Sequence, residues 1–172
     1  PKHRLSEEKV IEVLGELQSQ TERISCFAGT MKNINRLDEI IISRAYVSQA
    51  DLLAKTEAIL TVLAQKYAKQ FEVHSELKEQ QLNLDISIFL EVLENLIDNA
   101  MRFSVQCVRV EFRYSQSLLN VCVHDDGKGF QPDELSKAVK PYYHGESVGT
   151  EHYGMGLYIC KMLCEKHGGF LR

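Results

Sequence analysis

Along the first part of the chain, Val10, Leu14, Leu17, Thr21, Ile24, Ala28 and Met31 fall in alternating steps of four and three. That spacing is the seam of a coiled coil or helical bundle rather than the stripe of a helix lying on a sheet. It predicts one long helix from about Ser6 to Ile42. Ser6 is a natural N-cap, and Glu7 and Glu8 behind it suit the positive end of the helix dipole. Gly15 and Gly29 each weaken such a helix by about 1 kcal/mol relative to alanine, so packing against a partner has to hold it.

After Ile42 the rhythm changes. Ala45–Ser48 predicts a short strand, and Asp51 opens a second helix from Leu52 to about Lys69. Phe71–His74 and Leu82–Leu84 alternate as strands do. Asp85 caps a third helix that runs to about Phe103. Val108, Val110, Phe112 and Tyr114 then alternate with charged residues, Ser115-Gln116-Ser117 turns the chain, and Leu119, Val121 and Val123 form the return strand. A last helix begins near Leu157 and stops at Gly168-Gly169. The expected class is α+β: a two-layer α/β sandwich, with a mixed, mainly antiparallel sheet covered by helices, preceded by one long bundle-type helix. Residues 1–43 form the helical part and 44–172 the sandwich. One more strand is expected after Phe170-Leu171-Arg172, so the sandwich reads as truncated at its C-terminal strand and the chain as a fragment.

Composition narrows the function. The 172 residues are 44% hydrophobic with a net charge of −4, enough for one core and an appendage, with no general attraction to nucleic acid or an anionic membrane. A phosphate-bearing ligand therefore needs local cations, oriented amides or a metal. The five cysteines contain no Cys-x-x-Cys pair and predict buried free thiols in a reducing compartment. No apolar run approaches the ~20 residues that span a bilayer. A soluble, cytoplasmic fragment without direct membrane contact is expected, which does not exclude an anchor upstream.

Three features carry candidate chemistry. On the third helix, Phe89, Leu93, Leu96, Ile97 and Ala100 make the apolar stripe, while Glu91, Asn95, Asn99 and Arg102 share another side. Asparagine is a poor interior helix residue. Two of them one turn apart, followed by an arginine, suit a hard cation and a phosphate, although a solvated helix face has the same pattern. Second, His124-Asp125-Asp126-Gly127-Lys128-Gly129-Phe130 follows a strand directly. Its glycines allow close approach of a flat ligand, and an ionised Asp125 accepts hydrogen bonds only, as from an exocyclic amine; an ordinary hairpin turn is the other reading. Third, Gly154-Met155-Gly156-Leu157 opens the last helix, where unpaired amides and the dipole favour an anion. Between the second and third lies an aperiodic stretch from about Lys137 to Tyr153, long enough to be a lid.

Taken in order, these segments resemble the ATP-binding domain of sensor histidine kinases, within the superfamily that includes gyrase-type ATPases and chaperones. Glu94-Asn95-Leu96-Ile97-Asp98-Asn99-Ala100-Met101-Arg102-Phe103-Ser104 resembles the N box, and Asp125-Asp126-Gly127-Lys128-Gly129-Phe130 the first glycine box. Pro141-Tyr142-Tyr143-His144-Gly145 resembles the F box, with Tyr142 where phenylalanine is usual and His144 where arginine is usual. Gly154-Met155-Gly156-Leu157-Tyr158-Ile159-Cys160 resembles the second glycine box, with His152 where many members have a further glycine. The first helix resembles the second helix of the dimerisation hairpin.

The resemblance implies ATP and Mg2+ as ligands. Asn99 would coordinate the magnesium with Asn95 assisting, Arg102 would contact phosphate and Phe103 would pack beside adenine. Asp125 would accept from the adenine amino group, with Gly127 and Gly129 shaping the wall. Gly154 and Gly156, with the amides of Met155 and Leu157, would cradle phosphates under a lid from Tyr142 to Tyr153. It further implies a histidine phosphotransferase that pairs with a second copy through the N-terminal helix and serves a response-regulator receiver domain. None of the six histidines has the surroundings of the phosphate-accepting one, so the fragment is expected not to phosphorylate itself. A hydrolytic ATPase of the same superfamily and a non-catalytic nucleotide-binding or dimerisation module remain the alternatives. The hydrolases place a glutamate where Asn95 stands, and an amide cannot take a proton from water at neutral pH.

Overall fold

The computed structural model describes residues 6–79, 81–141, 143 and 154–172. The first helix, α1, spans Glu7–Glu39, with the Ser6 hydroxyl accepting the Lys9 N–H at 3.4 Å. It ends three residues earlier than the periodicity predicts. Ile40 adopts an extended backbone (ψ 120°), and Leu37, Ile40 and Ile42 turn onto the domain behind. The seam residues Val10, Leu14, Leu17 and Ile24 stay exposed. Among the described residues, no helix is long and apolar enough to cross a membrane.

The rest is a layer of helices on β-structure. Strand β1 is Ala45–Ser48, helix α2 Gln49–Tyr67, β2 Gln70–Ser75, β3 Gln81–Leu84, helix α3 Ile86–Phe103, β4 Cys107–Ser115 and β5 Leu118–Asp125. A four-residue helix α4, Leu135–Ala138, precedes the last helix α5, Gly156–Lys166. The cap of α2 is Ser48, whose hydroxyl accepts from Asp51 N–H; Asp51 sits in the first turn instead of opening the helix. The expected single sheet is two: β1 pairs antiparallel with β3, and β4 stands between a parallel β2 and an antiparallel β5. Gln116 and Ser117, both at positive φ, make the two-residue turn between β4 and β5.

Two cores meet on α3. Its Leu93, Ile97, Ala100 and Met101 pack with Leu52 and Leu60 of α2 and with Val108, Val110 and Phe112 of β4. Its Ile88 joins Leu37 of α1 with Met155, Ile159 and Leu163 of α5 in a second cluster. Among the described cysteines the expectation of buried thiols holds fully only for Cys160, whose thiol is pushed up to about 12 by burial; Cys107 and Cys164 are half-buried and Cys122 is exposed on β5.

The exit of α1 is tied to both α3 and α5. The buried Asp85 carboxylate accepts Ser43 N–H at 2.8 Å and the N–H groups of Ser87 and Ile88 at 3.1 and 3.2 Å. Burial alone would raise its pKa, but these three donors bring it below the ordinary range. His167, which ends α5, accepts Asp85 N–H on Nε2 at 2.8 Å, and its carbonyl accepts from Arg44 at 2.6 Å. Burial, with the Arg44 charge beside it, lowers the His167 pKa. A depressed histidine is neutral in the folded chain, so the unfolded chain takes the proton first as pH falls. Stability should therefore drop as pH falls from about 7 to about 5. Urea unfolding across that range should show a falling midpoint, flattened in a His167→Gln variant; an equal slope in the variant would contradict the coupling.

Candidate functional site

Helix α3 positions the polar side that the sequence singles out. Asn95 and Asn99 lie one turn apart and are half-buried, not solvated. Asn95 Nδ2 donates to the Glu91 carbonyl at 2.8 Å, which leaves its Oδ1 turned toward the start of α5. A Cβ built on Gly156 would lie 3.6 Å from that oxygen, so α5 begins directly beside the asparagine face. Helix α5 starts after Met155 with no side-chain cap. The first N–H groups of a helix lack intrahelical acceptors and favour an anion. Cys160 Sγ donates to the Val92 carbonyl at 3.6 Å and locks the two helices in this register.

The glycine turn after β5 meets the other end of α3. Asp125 is exposed, and its Oδ1 accepts Gly127 N–H at 2.9 Å. A Cβ on Gly127 would fall 2.3 Å from the Phe103 carbonyl and 2.6 Å from Asp125 Oδ1. Glycine is thus required by a close approach. Gly129 has open space but a φ of +69°, so there the requirement is conformational. Gly154 meets both demands, with φ +63° and a would-be Cβ 2.0 Å from the Tyr143 carbonyl. Tyr142, His144 and His152 lie outside the described residues.

Arg102 is drawn to a neighbour. Asp98, between the two asparagines, accepts from Arg102 at 3.1 Å, from Lys66 Nζ at 3.0 Å and from the Tyr67 hydroxyl at 2.9 Å. Burial opposes its charge, but the three donors keep its carboxyl below the usual range. Arg102 also lies over the exposed Phe103 ring, 5.6 Å from its centroid, and its buried Nε has no partner among the described residues. The sequence pattern gave no sign of this cluster, because Lys66 and Tyr67 come from α2 and only folding brings them to Asp98. A separate hollow of about 240 Å³ is lined by His74, Glu76, Glu111 and Arg113 near the hairpin end of the sheet. Asp125 stands at the opposite end of β5, and Arg113 there is already paired with Glu76 and Glu111.

The α5 start therefore meets α3 beside Asn95, near the helix middle, and the glycine turn meets it at its last residue, Phe103. The same stretch, residues 84–172, matches the family model described as histidine kinase-, DNA gyrase B- and HSP90-like ATPase, which is more than half the chain. The chain belongs to this ATPase family. Among its relatives is the sensor protein SrrB of Staphylococcus aureus (strain NCTC 8325 / PS 47), 26% identical over 166 residues, covering 86% of this chain and 28% of SrrB. The chain thus spans less than a third of the curated relatives it matches. Its fold is similar to full-length ShkA solved in complex with AMPPNP, with a TM-score of 0.73 at 20% identity over 96% of this chain and 35% of that one. It is also similar to the mycobacterial sensor histidine kinase MprB, with a TM-score of 0.61 at 22% identity over 73% of this chain and 81% of that one. Within the ATPase family the chain thus carries an ATP-binding domain of the histidine kinase type.

The two glycines of the first turn are distinguishable by substitution. In Gly127→Ala the new methyl meets a backbone carbonyl, with an expected loss of about 1–3 kcal/mol. Gly129→Ala should lose about 1 kcal/mol, from φ alone. Chemical unfolding of both variants checks the order; a larger loss at Gly129 would contradict the packing of the turn on Phe103.

Proposed function

We propose that this chain binds Mg-ATP and presents its γ-phosphate to a histidine on the dimerisation domain of a two-component signalling kinase. The observation that carries this reading is the half-buried pair Asn95 and Asn99, beside a helix start that glycine leaves open and no side chain caps. Neutral amide oxygens are hard ligands and suit magnesium. A glutamate at Asn95 would serve to activate water, whereas an amide can only orient and coordinate.

In this reading Asn99, with Asn95 beside it, holds magnesium, which when bound neutralises charge on the ATP phosphates. Gly154 and Gly156, with the amides of Met155 and Leu157, receive phosphate oxygens. Arg102, whose guanidinium Asp98 holds at 3.1 Å, contacts phosphate. Asp125 accepts the adenine amine, the Gly127–Gly129 turn forms the flat wall and Phe103 lies against the base. Tyr142 belongs to the lid. The division into residues 1–43 and 44–172 gives the first helix a separate task. Its exposed Val10, Leu14, Leu17 and Ile24 pair with a second copy of the chain, and the phosphate passes ultimately to a receiver domain of a response regulator. With no suitable acceptor among its six histidines, this chain alone does not phosphorylate itself.

Calorimetric titration with a non-hydrolysable ATP analogue tests the reading. Binding should require magnesium, and Asn99→Ala or Asp125→Ala should each weaken it by at least about ten-fold. Incubation with labelled ATP should give no acid-labile phosphohistidine and no steady phosphate release. Absence of binding by the unaltered chain would refute the nucleotide site. Steady release would instead make the domain a hydrolase.

A further inference from the structure

Asp126 stands between two residues of the proposed adenine wall, yet its carboxylate serves a different segment. Oδ1 accepts Val105 N–H at 2.7 Å and Gln106 N–H at 3.0 Å, while Oδ2 accepts Gln106 N–H at 3.0 Å and Cys107 N–H at 3.2 Å. Three successive amides converging on one anion form a concave nest, here filled by a side chain of the same molecule. The Gln106 N–H and its neighbours hold the Asp126 carboxyl below the usual carboxylate range. The carbonyls of this link are restrained as well. Lys69 Nζ donates to Ser104 O and, at 2.9 Å, to Val105 O, and Gln106 O accepts from Gln70 N–H at 2.9 Å.

This link joins α3 to β4, and Phe103, the last residue of α3, is the one whose carbonyl abuts Gly127. The clamp therefore ties together two walls. One is the last residue of α3, Phe103, and the other is the turn bearing Asp125 and Gly127. We propose that Asp126 is a positioning residue for nucleotide recognition: by fixing the link to the turn, it sets Asp125 and Phe103 at one spacing for the adenine base. This rests on the nucleotide-binding reading above. Without the clamp the turn is still glycine-rich and joined to β5, but the base must order it on binding, which weakens affinity. The loss falls on base recognition, because the phosphate side is built on Asn95, Asn99 and the start of α5, away from the link.

The test compares the unaltered chain with Asp126→Ala and Asp126→Asn in two measurements. Amide hydrogen exchange by NMR reads the clamp without any ligand, and calorimetry reads affinity for Mg-ATP and Mg-GTP. In Asp126→Ala, exchange at Val105, Gln106 and Cys107 should accelerate, ATP affinity should fall about ten-fold and the ATP-over-GTP preference should shrink by a similar factor. Asp126→Asn should be intermediate, since one oxygen still accepts while its NH2 group opposes the Cys107 N–H. Unchanged exchange would show that no clamp exists. Faster exchange with an unchanged ATP-over-GTP ratio would reduce Asp126 to a stabilising contact and overturn the proposal. Failure of the unaltered chain to bind either nucleotide would sink the underlying reading, and the positioning role with it.

Discussion

Everything in this domain depends on α3 being buried along one side and half-buried along another. Its apolar stripe fills the gap between α2 and β4, and its first turn completes a second cluster with α1 and α5. Burial of Leu93, Ile97 and Met101 fixes how the helix can rotate. That rotation leaves Asn95 and Asn99 half-buried and sets Asn95 beside the start of α5. The two asparagines contribute little to helix stability themselves. They are affordable because large apolar side chains on the same helix each supply roughly 1.5–3 kcal/mol on burial.

The polar connections around that helix are local and charge-assisted. Asp98 draws in Lys66, Tyr67 and Arg102 from two helices, Asp126 gathers three amides, and Asp85 gathers three more at the other end. Each of these carboxylates is held ionised by donors that folding assembles. The arrangement fastens α3 at its beginning, middle and end.

Much of this was legible from residue order. The period of two in β4 and β5 and the Asp85 cap give elements whose ends agree with the structure to within a residue or two, because burial on one face leaves a direct trace in sequence. The N-box and glycine-turn residues stand out for another reason: asparagine inside a helix and glycine pairs outside one are locally anomalous. What escaped were pairings between distant segments. Nothing near Asp98 announces Lys66, and nothing near Asp126 announces its role, because its partners are backbone amides, which every residue has. The division of the strands into two sheets was missed on similar grounds, since pairing of β2 with β4 skips over β3 and α3. The early end of α1 reflects tertiary pull: beyond the helical Leu37, Ile40 and Ile42 pack on the cluster of Ile88, Ile159 and Leu163 and do not continue a helical seam.

The most direct test of the central claim is a map of amide and side-chain NMR shifts as Mg-ATP is added to the uniformly labelled chain. The account predicts that the side-chain amides of Asn95 and Asn99 move together with the backbone signals of Gly127, Gly129, Gly156 and Leu157, while His74 and Arg113 stay still. Shifts centred on the hairpin-end hollow, or confined to one of the three segments, would contradict a shared cavity around α3.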